Sequence, residues 1–190
     1  MLFRSVFEQV NPYTDVNTED WFYEDVLYVT ANGLMKGTGS GKFSPEITAD
    51  RAMLVTVLWR LEGCPIVDSP VDFFDVANGM WYSDAIHWAS ANGIVKGYGD
   101  GTFGPTDMIT REQVMTILNR YADYKGWTNK TLLPMLSRYQ YSVWAENHVI
   151  WGENFGLLDG LGVDLSDMTA KASRAELAAY LSRFMRNIIK

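Results

Sequence analysis

Much of the chain is a repetition of itself at a fixed offset of 60 residues, and no other feature restricts its fold as tightly. Asp15-Val16 recurs as Asp75-Val76, Trp21 as Trp81, Ala31-Asn32-Gly33 as Ala91-Asn92-Gly93, and Lys36-Gly37 as Lys96-Gly97. Phe43, Pro45, Arg51 and Arg60 recur as Phe103, Pro105, Arg111 and Arg120 without a gap. Two such copies fold to the same unit, and repeated units bury their apolar faces against one another.

The last third shares the spacing and little else. Trp21 precedes Gly33 by 12 residues, as Trp81 precedes Gly93 and Trp144 precedes Gly156. From those glycines to Arg51, Arg111 and Arg174 is 18 residues in each case, and Arg60, Arg120 and Arg183 follow 9 later. A third copy is therefore present. It reads Asp159-Gly160-Leu161-Gly162 where the others carry a glycine ladder and Phe-x-Pro, and the position matching Asp15 and Asp75 falls near Met135 to Ser137, with no acid.

Within a copy the pattern predicts helix, glycine loop, helix. The first helix of the second copy is expected from about Trp81 to Asn92, with Trp81, Ala85, Ile86 and Ala89 on one face and Gly93 ending it at positive φ. The loop from Gly97 to Pro105 is dense in turn formers and must double back, with Phe103 as a plug into the core. The second helix starts after Asp50, Thr110 or Ser173, all good N-caps. Gln113 and Glu176, three residues past their caps, complete a capping box in two copies, and Met53 breaks it in the first. These second helices are apolar almost all round, as in Leu54, Val55, Val57, Leu58 and Leu61. Such helices belong at a centre. The chain is thus read as all-α, with a central three-helix bundle, the first helices as outer arms under pseudo-threefold symmetry, and grooves between the arms.

Composition narrows what such grooves serve. A chain of 190 residues, 47% hydrophobic and 21% charged, buries a self-sufficient core. Its net charge of −7 counts against nucleic acid or an anionic membrane as partner. No apolar run approaches the roughly 18 residues of a membrane span. Cys64, the single cysteine, excludes an internal disulfide and a cysteine-clustered zinc site. The start, Met1 to Ser5, lacks the basic region and apolar stretch of a secretion signal, as expected of an intracellular chain or of a mature or excised piece. Left unexplained is an aromatic content of 14%, including seven tryptophans.

The recurring residues offer a use. Arg51, Arg111 and Arg174 sit in the first turn of their helices, where the helix dipole disfavours a cation by about 0.3 to 1 kcal/mol. One compensation is an intramolecular carboxylate, from Asp15, Asp75 or Glu176. The other is an external anion, held by unpaired first-turn amides and the guanidinium fork. Trp21, Trp81 and Trp144 are either core anchors for the arms or flat platforms for a sugar ring. Other motifs fail: Lys36 to Lys42 lacks the spacing of a phosphate-binding loop, Asp100 and Asp107 lack the alternation of a calcium loop, and neither His87 nor His148 has a nucleophile or ligand partner at a telling interval. No metal, cofactor or catalytic residue is expected, because acids with positional meaning recur whereas catalytic pairs are unique.

The elements Phe73-x-Asp75-Val76, Trp81, Ala91 to Gly97, Gly99-Asp100-Gly101-x-Phe103-x-Pro105, Ile109-Thr110-Arg111-Glu112 and Arg120 together resemble the S-layer homology repeat of bacterial surface proteins. The resemblance implies a three-pronged spindle of helices, with repeats at 13–66, 71–126 and 127–190 after a tail at 1–12, folded as one unit. It also implies non-covalent, non-catalytic anchoring to secondary cell-wall polysaccharide outside the cell, in a protein that carries further domains, without membrane insertion. By that analogy Arg51, Arg111 and Arg174 would hold the carboxylate of a pyruvate-ketal-bearing N-acetylmannosamine. The Gly39 and Gly99 loops would offer backbone contacts, Trp21, Trp81 and Trp144 would line the groove walls, and Lys36 and Lys96 would add to the site, with Asp15 and Asp75 beside it. The alternative is a protein-interaction or self-assembly module that uses the same grooves.

Overall fold

The structure, a computed structural model, describes residues 10–68, 72–127, 133 and 138–189. Six α-helices follow one another among the described residues: α1 Tyr23–Ala31, α2 Arg51–Leu61, α3 Ser83–Ala91, α4 Arg111–Tyr124, α5 Glu146–Asn154 and α6 Arg174–Asn187. A 3-10 turn over Val143–Ala145 leads into α5. Extended pairing among the described residues is confined to isolated bridges, so the fold is all-α. The stretch from Met135 to Ser137 lies outside the described residues.

Helix boundaries follow the local chemistry. Expected from Trp81, α3 begins at Ser83, because a turn precedes it: the Ser83 hydroxyl donates to the Ala77 carbonyl at 2.6 Å and accepts the Met80 N–H at 3.0 Å. Trp81 thereby stays outside the helix. Each first helix ends at its glycine, with φ of +68° at Gly33 and +70° at Gly93 and Gly156. Each second helix begins at its predicted cap, with capping boxes at Thr110/Gln113 and Ser173/Glu176 and Asp50 accepting the Met53 N–H alone.

The repeats interlock in a ring. Ala49 N–H donates to the Ala172 carbonyl, Ala172 N–H to Ile109, and Ile109 N–H to Ala49, each at 2.9 Å. This closed triangle of backbone bonds lies just before the three second helices. Beyond it α2 packs on α3, α4 on α5, and α6 on α1. Every prong is therefore shared, pairing the second helix of one repeat with the first helix of the next, and the pair α1 and α6 closes the circle. The first helices do form the outer arms, and each lies on the second helix of the preceding repeat, a partner that periodicity does not name because it marks only the buried face. One continuous core links all six helices.

The loops are pinned from inside. Phe43 and Phe103 are fully buried plugs. Asp15 holds the first of them by accepting the Phe43 and Ser44 amides at 2.8 and 2.9 Å, and Asp75 accepts those of Phe103 and Gly104 at 2.8 and 2.7 Å. Burial pushes the Asp15 carboxyl up, but the two amides outweigh it and hold the group below its usual range. The Asp75→Asn substitution leaves one amide without an acceptor, so it is expected to cost about 1 to 3 kcal/mol of stability in denaturant melts. Glu46→Gln on the exposed loop surface should stay within about 0.5 kcal/mol.

Candidate functional site

At each junction of the ring a guanidinium enters the neighbouring repeat's loop. Arg51 is 5% exposed, and its Nε and Nη2 donate to the carbonyls of Phe103 at 3.0 Å and Lys96 at 3.2 Å. Its guanidinium carbon lies 4.5 Å from the centroid of the Phe103 ring and 4.9 Å from that of Tyr98. Arg174 repeats the arrangement on the first loop, donating to Phe43 O at 3.0 Å and Lys36 O at 2.8 Å over the Phe43 ring. Among the described residues neither arginine has a carboxylate within salt-bridge distance. Burial pulls both down from the usual arginine range, opposed chiefly by Tyr98 at Arg51 and by Tyr13 at Arg174. A guanidinium remains charged through such a shift. Each is thus a desolvated cation whose bonded partners are neutral, which is the condition under which an added carboxylate stabilises most.

Arg111, at the third junction, differs. Its Nε meets Glu176 Oε1 at 2.6 Å, and its Nη1 donates to the carbonyls of Asp164 at 2.8 Å and Asp167 at 3.0 Å. Of the intramolecular carboxylates weighed for the arginines, Glu176 is the one that arrives. Asp15 and Asp75 stay with their loop amides.

The expectation of unpaired first-turn amides is corrected by the ring. Arg51 and Ala52 donate to the carbonyls of Asp107 and Pro105, Arg111 and Glu112 to those of Ala170 and Met168, and Arg174 and Ala175 to those of Ile47 and Pro45. The neighbouring repeat satisfies what an isolated helix start would leave open. Any anion site here rests on side chains.

Arg51 lies in a cavity of about 330 Å³ whose lining also includes Lys96, Gly97, Tyr98, Gln113, Thr116, Arg120 and Trp144. Arg174 lies in a second, of about 160 Å³, with Lys36, Met53, Thr56, Arg60 and Trp81. All three repeats contribute to each: one supplies the buried arginine, the next the loop and helix, the third the tryptophan. Trp81 and Trp144 are both 54% exposed. Trp21 instead lies against Gly162, which leaves no room there for a Cβ.

Gly39 and Gly99 occupy loop tips at φ of +117° and +92°, outside the linings of these cavities, and Gly97 lines the larger one in their stead. Residues that the sequence did not assign to a site line these cavities: Gln113, Tyr98, Thr56, and the second repeat arginines Arg60 and Arg120. The last two carried a signal, their constant distance of 9 behind the buried arginines. Thr56 Oγ1 is buried without a hydrogen-bond partner among the described residues, beside the Arg174 cavity.

The fold is thus a pseudo-threefold, all-α ring of interlocked repeats with an exposed tryptophan at each of the two cavities. Residues 12–52 and 72–115, in the first two repeats, match the model of the S-layer homology domain, and these two repeats belong to that family. It is similar to cell surface glycoprotein 1 of Acetivibrio thermocellus, 30% identical over 60% of this chain and 5% of the relative. Similar too are the amylopullulanase of Thermoanaerobacterium thermosulfurigenes, 26% identical over 93% of this chain and 10% of the relative, and S-layer protein sap of Bacillus anthracis, 23% identical over 90% and 21%. The chain thus spans 5% to 21% of the length of these relatives. No helix among the described residues is long and apolar enough to cross a membrane.

Next to the larger cavity, His148 Nδ1 lies 2.7 Å from Asn119 Oδ1. Burial, and then the Arg120 cation, hold its imidazole below the ordinary 6.5, so below that pH the unfolded chain binds the proton more readily than the folded one. Stability is expected to fall as pH drops through 6.5. The His148→Gln variant should show a flatter decline between about pH 6.5 and 5 in denaturant melts, because the titrating group is gone.

Proposed function

We propose that the chain is a non-catalytic anchor at the bacterial cell surface, and that it holds a carboxylate-bearing sugar of the secondary cell-wall polysaccharide in the Arg51 and Arg174 grooves. The observation that carries this reading is the pair of buried guanidiniums with neutral partners, each beside an exposed tryptophan. The ketal carboxylate of a pyruvylated N-acetylmannosamine matches the guanidinium in charge and in planar geometry. The faces of Trp144 and Trp81 suit the apolar side of the ring, and Arg120, Lys96, Arg60 and Lys36 add positive charge. The overall charge of −7 does not oppose this, since the cations are concentrated where one anionic sugar would sit. Relatives named for the cell surface or the S-layer support the location, and relatives named as polysaccharide-acting enzymes, matched over small parts of their length, support a module attached to other domains.

Sedimentation with purified, deproteinated and pyruvylated wall polymer tests the reading, and separates it from protein interaction because no protein partner is present. The buried arginines also hold the loops, so the exposed tryptophans make the cleaner probes. Trp81→Ala and Trp144→Ala should each weaken retention by about tenfold or more per groove, in line with about 2 kcal/mol for a tryptophan hot spot, while melting temperature holds. Undiminished retention in the double variant would reject the grooves as the site.

A further inference from the structure

We infer that Glu112 is the positioning residue of the larger groove, the side chain that fixes Trp144 beside α4; the inference rests on the reading of that groove as the sugar site. The lining comes from different repeats: Gln113, Thr116 and Arg120 stand on α4, and Trp144 belongs to the 3-10 turn ahead of α5. Glu112 joins the two. Only 4% exposed, it reaches from the first turn of α4 to Ser142, whose N–H donates to Oε2 at 2.8 Å and whose hydroxyl donates to Oε1 at 2.9 Å. Ser142 is the N-cap of the 3-10 turn and its carbonyl accepts the Ala145 N–H at 2.8 Å, so Trp144 lies within the turn that Glu112 holds by its first residue. Among the described residues no cation lies within salt-bridge distance of Glu112, and losing either bond would leave a desolvated carboxylate oxygen unpaired.

The other repeat tryptophans are held differently. Ahead of Trp21 the turn is tied within its own repeat, where the Asn17 N–H donates to Asp20 Oδ2 at 2.7 Å, and around Trp81 the tie is Ser83 with Ala77 and Met80. Val143 and Glu146 stand at the matching positions of the third repeat and make no such bond among the described residues. At the position of Glu112 the first and third repeats carry Ala52 and Ala175, whose side chains cannot reach across. The tie to α4 is thus peculiar to Trp144, and the smaller groove, with Trp81, does not depend on it. Glu112 is outside the lining of the larger cavity, so its part there is to hold a contact residue in place from behind.

The experiment reads the tryptophan and the binding separately. In chain made with fluorotryptophan, the fluorine resonance of Trp144 is the one absent from Trp144→Phe, and that of Trp81 the one absent from Trp81→Phe. Glu112→Ala should shift or broaden the Trp144 resonance and leave that of Trp81 in place. Glu112→Gln should keep both where the unaltered chain has them, since the amide oxygen can accept the Ser142 N–H and the amide nitrogen can donate to the hydroxyl. A Trp144 resonance unmoved in Glu112→Ala overturns the inference, whether or not the chain binds sugar. The second measurement is retention on pyruvylated wall polymer in a Trp81→Ala background, which leaves the larger groove to act alone. There Glu112→Ala should weaken retention about tenfold and add nothing to Trp144→Ala, as expected of two residues that act as one. Undiminished retention in Glu112→Ala, or losses that add in full, overturns the inference. No retention by the unaltered chain rejects the anchoring reading and leaves the fluorine spectrum to decide the positioning. If Glu112→Ala does not fold, Ser142→Ala, which removes the hydroxyl bond alone, takes its place in both measurements.

Discussion

The structure depends on an arginine side chain entering a neighbour's loop. At two of the three junctions the guanidinium bonds the carbonyl of a buried phenylalanine whose own amide is held by an aspartate, so a line of hydrogen bonds runs from one repeat's loop anchor into the preceding repeat's helix. The charge is expensive to bury, and the aromatic ring beneath it and the carbonyls in front of it lower that cost without cancelling it. The same contact that joins the repeats leaves a cation short of an anion.

The three junctions then diverge in chemistry while keeping one geometry. Arg51 and Arg174 each line a cavity, beside the neutral Gln113 and Met53. Arg111 is paired with Glu176, and both partners are buried. The third repeat has lost the glycine ladder, the phenylalanine plug and the lysine, yet its backbone still supplies the carbonyls that satisfy the start of α4. Sequence drift there is tolerated because main-chain groups do the joining.

Much of this was legible in the sequence. Helix starts came from caps, helix ends from glycines, and the identity of the buried helices from their all-round apolarity, each a local signal with a local cause. The recurrence of the arginines marked them as important, but not what they touch. Their partners are carbonyls of Lys96, Phe103, Lys36 and Phe43, and a backbone carbonyl has no letter in the sequence. The shared prongs were equally hidden, since an apolar stripe on α3 would bury as well on its own repeat as on α2. Gln113 was read as half of a capping box, correctly, and its second place beside Arg51 shows only once the ring is closed. Trp21, equal to Trp81 and Trp144 in spacing, is set apart by Gly162, a residue from the far end of the chain.

Closure has an arithmetic of its own. Every second helix needs the loop ahead of it and every first helix needs the second helix behind it, and with three repeats each such need is met once, the last by the first. Two repeats would leave a helix start uncovered and an apolar face wet, and a fourth inserted into the same circle would part the backbone triangle of Ala49, Ile109 and Ala172. The module counts to three by geometry, so even the most altered repeat cannot be discarded.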